Sequence, residues 1–98
     1  MSWPPNEAVL DLFRSPGPCE LCGKQCRQRR EPHHVFARGR EAAFRMDLPE
    51  NLLAVCLYCH SAIHDGMYRR AFLLDLIGKR EGLWATDLEQ ILSRLRWL

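Results

Sequence analysis

The amino-acid sequence predicts a small α+β domain, in which a two-stranded ribbon and a helix are flanked by further helices at both ends. Three observations lead to this prediction. The chain has 98 residues, 47% of them hydrophobic, which is enough for one core but near the lower size limit for a domain that folds alone. Four of its five cysteines form two Cys-x-x-Cys pairs. Apolar residues recur at helical spacing near both ends of the chain.

The N-terminal half predicts one helix followed by extended structure. Asn6 can cap a short helix that ends before the breaker sequence Ser-Pro-Gly-Pro. The segment CELCGK at residues 19–24 is typical of a tight turn around its glycine. The segment PHHVFA at residues 32–37 predicts a short strand behind its proline.

The C-terminal half predicts a second strand and three helices. LLAVC at residues 52–56 predicts a buried strand, and LYCHSAIH at residues 57–64 predicts the start of a helix. Two amphipathic helices are expected at residues 67–81 and 86–98. We therefore expect a single domain over residues 1–98, with a core motif at about 19–64. The leucine stripe of the helices at about 67–98 predicts core packing or a contact with another copy or a protein partner.

The charge distribution points to a polyanionic partner. The net charge is +2, but residues 24–45 hold seven basic and two acidic residues, a net charge of +5. Such a concentration favours nucleic acid, although a solvated arginine-rich loop is the alternative. The sequence has no run of 18 apolar residues, so we expect no membrane span. Its first residues do not resemble a signal peptide, so we expect a reducing, cytoplasmic location.

The paired cysteines predict a structural zinc site. In a reducing compartment, cysteine pairs indicate metal binding rather than disulfides. Two such knuckles supply the four thiolates of a tetrahedral zinc site. The predicted ligands are Cys19, Cys22, Cys56 and Cys59, and Cys26 remains as a free or buried thiol.

The histidines predict a second, open metal site. All four lie in two short motifs, at His33, His34, His60 and His64. Four thiolates already fill a zinc ion, so the histidines beside Cys59 are free for another ion. His60 and His64 share a helix face, whereas His33 and His34 point to opposite sides of a strand. We expect His33, His60 and His64 to hold a divalent ion, and His34 to activate water as a general base.

These motifs together resemble a known family. The segments HHVFARG, EN and LLAVCLYCHSAIH are similar to those of the HNH (ββα-metal) endonucleases, in the subgroup whose fold is held by a four-cysteine zinc. The resemblance covers about residues 19–64. It implies a small ββα-metal, treble-clef-like core that cleaves DNA.

The resemblance also implies a role for each site residue. The second histidine of the pair, His34, would be the general base, and the first, His33, would bind the catalytic metal. Asn51 would orient the loop that carries the base, or its histidine. His60 would be the second metal ligand, and His64 the third ligand found in colicin-type nucleases. Arg38 would contact a phosphate.

The expected catalytic ion is magnesium, manganese, nickel or zinc, and histidine ligands favour transition ions. The resemblance further suggests a phage or mobile-element setting inside a host cell. Two alternatives remain open at this point. One is a non-catalytic, zinc-stapled module that binds nucleic acid, and the other is an adaptor that recruits a protein through its terminal helices.

Overall fold

The computed structural model describes residues 6–36 and 46–95. Arg38 and the last residues of the predicted C-terminal helix, 96–98, lie outside these ranges. The described residues have the α+β architecture that the sequence predicts.

The N-terminal half folds into a helix and a short hairpin. Helix α1 (Glu7–Arg14) begins after Asn6, whose Oδ1 accepts a hydrogen bond from the Val9 N–H at 3.2 Å. Strands β1 (Gly17–Pro18) and β2 (Gln25–Cys26) then pair antiparallel around the first cysteine pair. The turn of this hairpin was predicted from the sequence but its strands were not, because two-residue strands carry no readable periodicity.

The central element is an antiparallel ribbon followed by a helix. Strand β3 (Glu31–His34) pairs with β4 (Leu52–Val55), so that His33 lies opposite Leu53 and His34 opposite Leu52. A 3-10 turn at Pro49–Asn51 leads into β4, and α2 (Leu57–His64) starts two residues after β4 ends. All four residues of β4 are buried, because this strand pairs with β3 and also contacts α1 and α3.

Two further helices close the C-terminal half. Helix α3 (Arg70–Glu81) begins three residues later than the sequence predicts, whereas α4 (Ala85–Leu95) begins one residue earlier. The delay arises because α2 ends in a tight turn, with Gly66 at φ +80° and the Met67 N–H donating to the Ala62 carbonyl at 3.1 Å. No helix among the described residues is long and apolar enough to cross a membrane.

The apolar stripe of α3 and α4 belongs only in part to the core, since Phe72 and Ile91 are about half exposed. Its buried members pack in one cluster with residues of β4 and α2, and they are Leu73, Leu74, Ile77, Leu88 and Leu92. Of the two roles expected for this stripe, core packing accounts for these buried residues, and a contact with another copy or a protein partner stays a prediction.

An arginine joins this C-terminal unit to the ribbon. The Arg80 guanidinium on α3 forms an ion pair with Glu20 at 2.7 Å and donates to the Leu52 carbonyl at 3.0 Å and to the Pro49 carbonyl. Glu20 in turn accepts the Ala54 N–H at 2.8 Å. Arg80 therefore holds α3, the first cysteine knuckle and β4 together.

Candidate metal centres and active site

Four cysteines from distant parts of the chain meet in one cluster. The β1–β2 hairpin supplies Cys19 and Cys22, and the start of α2 supplies Cys56 and Cys59. Their sulfur atoms all lie within 4.8 Å of one another. Four sulfur donors at this spacing are the ligand set of a tetrahedral structural zinc site, so the cluster fits the predicted ion.

Backbone N–H groups in this cluster favour the thiolate form of Cys19, which is the form that binds a metal ion. The Cys19 sulfur accepts hydrogen bonds from the N–H groups of Cys22 at 3.4 Å and Cys56 at 3.3 Å. Burial raises the pKa of the Cys19 thiol, but these N–H groups outweigh it and lower the pKa to about 7. Burial and the neighbouring sulfurs raise the pKa of Cys59. Metal binding must therefore displace a proton from Cys59, which makes affinity rise with pH.

Three histidines form a second cluster on the other side of the same segment. His33 projects from β3, and His60 and His64 project from one face of α2. Their candidate ligand atoms lie within 4.8 Å of one another. His33 is buried, His60 half-buried and His64 exposed, so one side of the cluster opens to solvent. Cys56, Cys59, His60 and His64 thus divide between two clusters instead of converging on one ion.

The spacing of these imidazoles suits a single ion. The Nε2 atoms of His60 and His64 are 3.2 Å apart, and the ring centroid of His33 lies 5.4 Å from each of the other two. Two imidazole nitrogens bound at about 2.1 Å to one ion are roughly 3.0–3.4 Å apart. The histidine cluster therefore fits a divalent ion with part of its coordination sphere left open.

Burial favours the uncharged form of two of these three histidines. Burial, together with the nearby imidazoles of His60, His64 and His34, lowers the pKa of His33 to about 4. Burial and the proximity of His64 also lower the pKa of His60. Because only the neutral imidazole binds a metal ion, these shifts favour metal binding by His33 and His60 at pH 7.

His34 lies beside this cluster but does not belong to it. Its Nε2 atom is 2.6 Å from Oδ1 of Asp47, a carboxylate whose side chain is almost fully buried. The other oxygen of Asp47 accepts the Asn6 N–H at 2.9 Å. Asp47 was not predicted as a site residue from the sequence. No local signal identified it, because the ribbon and α1 bring residues 6, 34 and 47 together.

Asn51 lies in the 3-10 turn and is fully buried. Its Oδ1 accepts the Phe36 N–H at 2.7 Å, and its Nδ2 donates to the carbonyls of Phe36 at 3.1 Å and Met46 at 3.0 Å. The described bonds of this side chain thus all go to backbone on the two sides of residues 37–45. These bonds are compatible with the predicted role of Asn51 in orienting the loop that carries the base, which stays a prediction.

Comparison with known protein families adds an independent observation. Residues 19–66 match the family model described as HNH endonuclease. Residues 19–66 are an HNH domain. The match spans both cysteine pairs, all four histidines and the ββα element that carries them. Searches of curated proteins and of solved structures each return no match.

The four-cysteine cluster is consistent with the HNH subgroup whose fold is held by a zinc ion. Cys19, Cys22, Cys56 and Cys59 are positioned to bind a metal, and the described residues form a ββα core with one helix before it and two helices after it. Cys26, the fifth cysteine, lies on β2 outside the cluster, with its sulfur 3.9 Å from the Lys24 carbonyl. It is half-buried, in keeping with the expectation of a free thiol.

The basic window of the HNH domain is only partly described. Lys24, Arg27 and Arg29 are exposed on the hairpin and on the segment that leads to β3. Arg38, the predicted phosphate contact, lies outside the described residues, as do Arg40 and Arg45. Among the described residues of this window, the exposed cations are therefore these three, which lie on one connected segment.

Arg30 differs from its neighbours in this window. Its guanidinium donates to backbone carbonyls at the end of α1 and in β1, namely those of Leu12 at 3.3 Å, Ser15 at 2.8 Å and Pro18 at 3.2 Å. Arg30 therefore ties α1 to the hairpin, which the sequence pattern alone did not distinguish from a free surface cation.

Proposed function

We propose that this chain is a metal-dependent DNA endonuclease that hydrolyses phosphodiester bonds. One observation carries the proposal. Three histidines that can share a divalent ion lie beside a fourth, His34, which is hydrogen-bonded to a carboxylate instead of joining them. A binding module has no need for this division, whereas hydrolysis needs both a cation site and a base.

The histidines take separate roles in the proposed reaction. His33, His60 and His64 would hold the ion, which supplies positive charge for the phosphate and the leaving oxygen. His34 accepts a proton from a water molecule, and the water oxygen forms a bond to phosphorus. The bond between phosphorus and the leaving oxygen breaks, and that oxygen takes a proton from solvent. The His34 side chain is about one-fifth exposed, so a water molecule can reach it.

Other residues of the chain would position the reaction and its substrate. The four-cysteine site fixes the start of α2, and with it His60 and His64. The exposed cations at residues 24, 27 and 29 would bind the DNA backbone, and Arg38 would contact a phosphate. Positive charge of this kind binds DNA largely without regard to sequence.

The test is a plasmid-cleavage assay on zinc-loaded protein. A brief chelator treatment should stop cleavage while elemental analysis still finds one zinc per chain, and added manganese or magnesium should restore it. His34→Ala should lower the cleavage rate by about 10²–10⁴-fold, the usual contribution of a general base. Cleavage that survives removal of all divalent ions except the structural zinc, or that falls less than tenfold in His34→Ala, would defeat the proposal.

The nucleic-acid-binding module and the protein adaptor predict a different outcome. Either would leave the plasmid intact under every metal condition, and the binder would still retain DNA at low salt. The histidine cluster and the buried apolar faces of α3 and α4 give neither alternative specific support.

A further inference from the structure

A buried acidic residue lies in contact with His34 and has no role in the reaction proposed above. Asp47 is 3% exposed, and its Oδ1 lies 2.6 Å from His34 Nε2. Its Oδ2 is held at 2.9 Å by the N–H of Asn6, the residue that caps α1. The carboxylate is thus fixed between the first helix of the chain and the imidazole at the end of β3.

This contact determines which nitrogen of His34 carries the hydrogen. An ionised carboxylate only accepts hydrogen bonds, so the imidazole must donate from Nε2. In the neutral ring the other nitrogen, Nδ1, then has no hydrogen and keeps its lone pair. When Nδ1 takes a proton the ring becomes cationic, and a carboxylate at 2.6 Å stabilises that cation.

We infer that Asp47 is a positioning residue for His34, which holds the imidazole as the Nε2–H tautomer so that Nδ1 is the atom that takes the proton from water. This inference rests on the proposed function for its catalytic part only. The tautomer itself is a property of the chain and can be measured without any cleavage. Asp47 does not touch the reacting atoms, and it acts through His34.

The first test is a long-range proton–nitrogen NMR spectrum of the full-length, zinc-loaded protein with labelled histidine. His34 is assigned from the signals that disappear in His34→Gln. The wild type should show His34 as the Nε2–H tautomer at pH 8, and Asp47→Asn should lose that preference. A wild-type His34 in the Nδ1–H form, or a spectrum unchanged by Asp47→Asn, would overturn the inference.

The second test separates positioning from a general loss of stability. Asp47→Asn should lower kcat by about 10–10³-fold with KM changed less than threefold, because the contact strengthens as charge develops in the transition state. In a His34→Ala background the same change should cost less than a further twofold. Ile77→Val, a core change on α3, serves as the control with a comparable loss of melting temperature, and it should keep kcat within twofold.

The outcomes distinguish this inference from the proposed function. A wild type that never cleaves DNA overturns the proposed function and the catalytic part of the inference, while the NMR spectrum still decides the tautomer. A wild type that cleaves, with Asp47→Asn equally fast, overturns the role of Asp47 and leaves the proposed function standing. If Asp47→Asn lowered kcat by the same factor in the wild-type and His34→Ala backgrounds, Asp47 would have only a structural role.

Discussion

Asn51 and Phe36 are joined by two hydrogen bonds, since the buried amide accepts the Phe36 N–H at 2.7 Å and donates to the Phe36 carbonyl at 3.1 Å. The same amide donates to the Met46 carbonyl at 3.0 Å. The Asn51 side chain therefore joins the backbone on both sides of residues 37–45, close to the end of β3 that carries His33 and His34. Its replacement should affect both stability and the site.

Asn51→Ala should destabilise the protein by about 2–3 kcal/mol, because it leaves buried backbone groups without their partner. Cleavage should fall as well, while the zinc content stays at one per chain. Chemical denaturation measures the stability, and Glu50→Ala in the same 3-10 turn is the control, with an expected loss under about 0.5 kcal/mol. If Asn51→Ala unfolded at the same denaturant concentration as the wild type, contacts other than those of Asn51 would hold the backbone on both sides of residues 37–45.

Arg80→Ala should lower the free energy of unfolding by about 2–4 kcal/mol, since it leaves Glu20 and two backbone carbonyls without their charged donor. Lys79→Ala is the control on the same helix. The Lys79 ion pair with Asp75 at 3.4 Å is exposed, so its loss should cost less than about 0.5 kcal/mol. Equal effects of the two substitutions in a thermal or denaturant melt would contradict the role of Arg80.

The zinc site should be essential for folding. Structural zinc contributes on the order of 10 kcal/mol or more, so Cys22→Ser or Cys56→Ser should give insoluble or unfolded protein. Cys26→Ser, which changes a thiol outside the cluster, should keep one zinc per chain and a cooperative melt. If purified wild-type protein melted cooperatively and elemental analysis found no zinc, a structural role for zinc would be ruled out.

DNA binding should depend on the exposed part of the basic window. Replacing Arg27 and Arg29 together with glutamine should reduce the slope of log affinity against log salt by roughly 2, because each phosphate contact contributes about 0.9. Arg30→Gln should instead lower the melting temperature, since Arg30 is committed to backbone carbonyls. An unchanged slope in the double variant would place the DNA elsewhere, with Arg69 and Arg70 as the next candidates.

The sequence was most informative about the two metal sites, because the spacing of their ligands along the chain indicates which side chains can bind one ion. The two Cys-x-x-Cys pairs and the four-residue interval between His60 and His64 fix which side chains can share an ion, so the two clusters could be anticipated. The helices and the strands β3 and β4 were predicted from local patterns, whereas the two-residue strands β1 and β2 were not, and Gly66 with the linker before Arg70 delays the start of α3. The Asp47–His34 and Glu20–Arg80 pairs could not be anticipated, because each joins residues that only the folded chain brings together.

The most direct test of separate metal sites is a calorimetric titration of manganese into zinc-loaded wild type, His34→Ala and His60→Ala. His34 lies outside the histidine cluster, so His34→Ala should bind manganese with an affinity within about twofold of wild type. Loss of a residue that orients a metal ligand would instead lower the affinity by about 10–100-fold. His60→Ala removes a ligand and should lose the manganese isotherm while it retains one zinc per chain. A His60→Ala protein that loses zinc and unfolds as a cysteine variant does would show that the segment Cys56–His64 serves one metal, and would contradict the account.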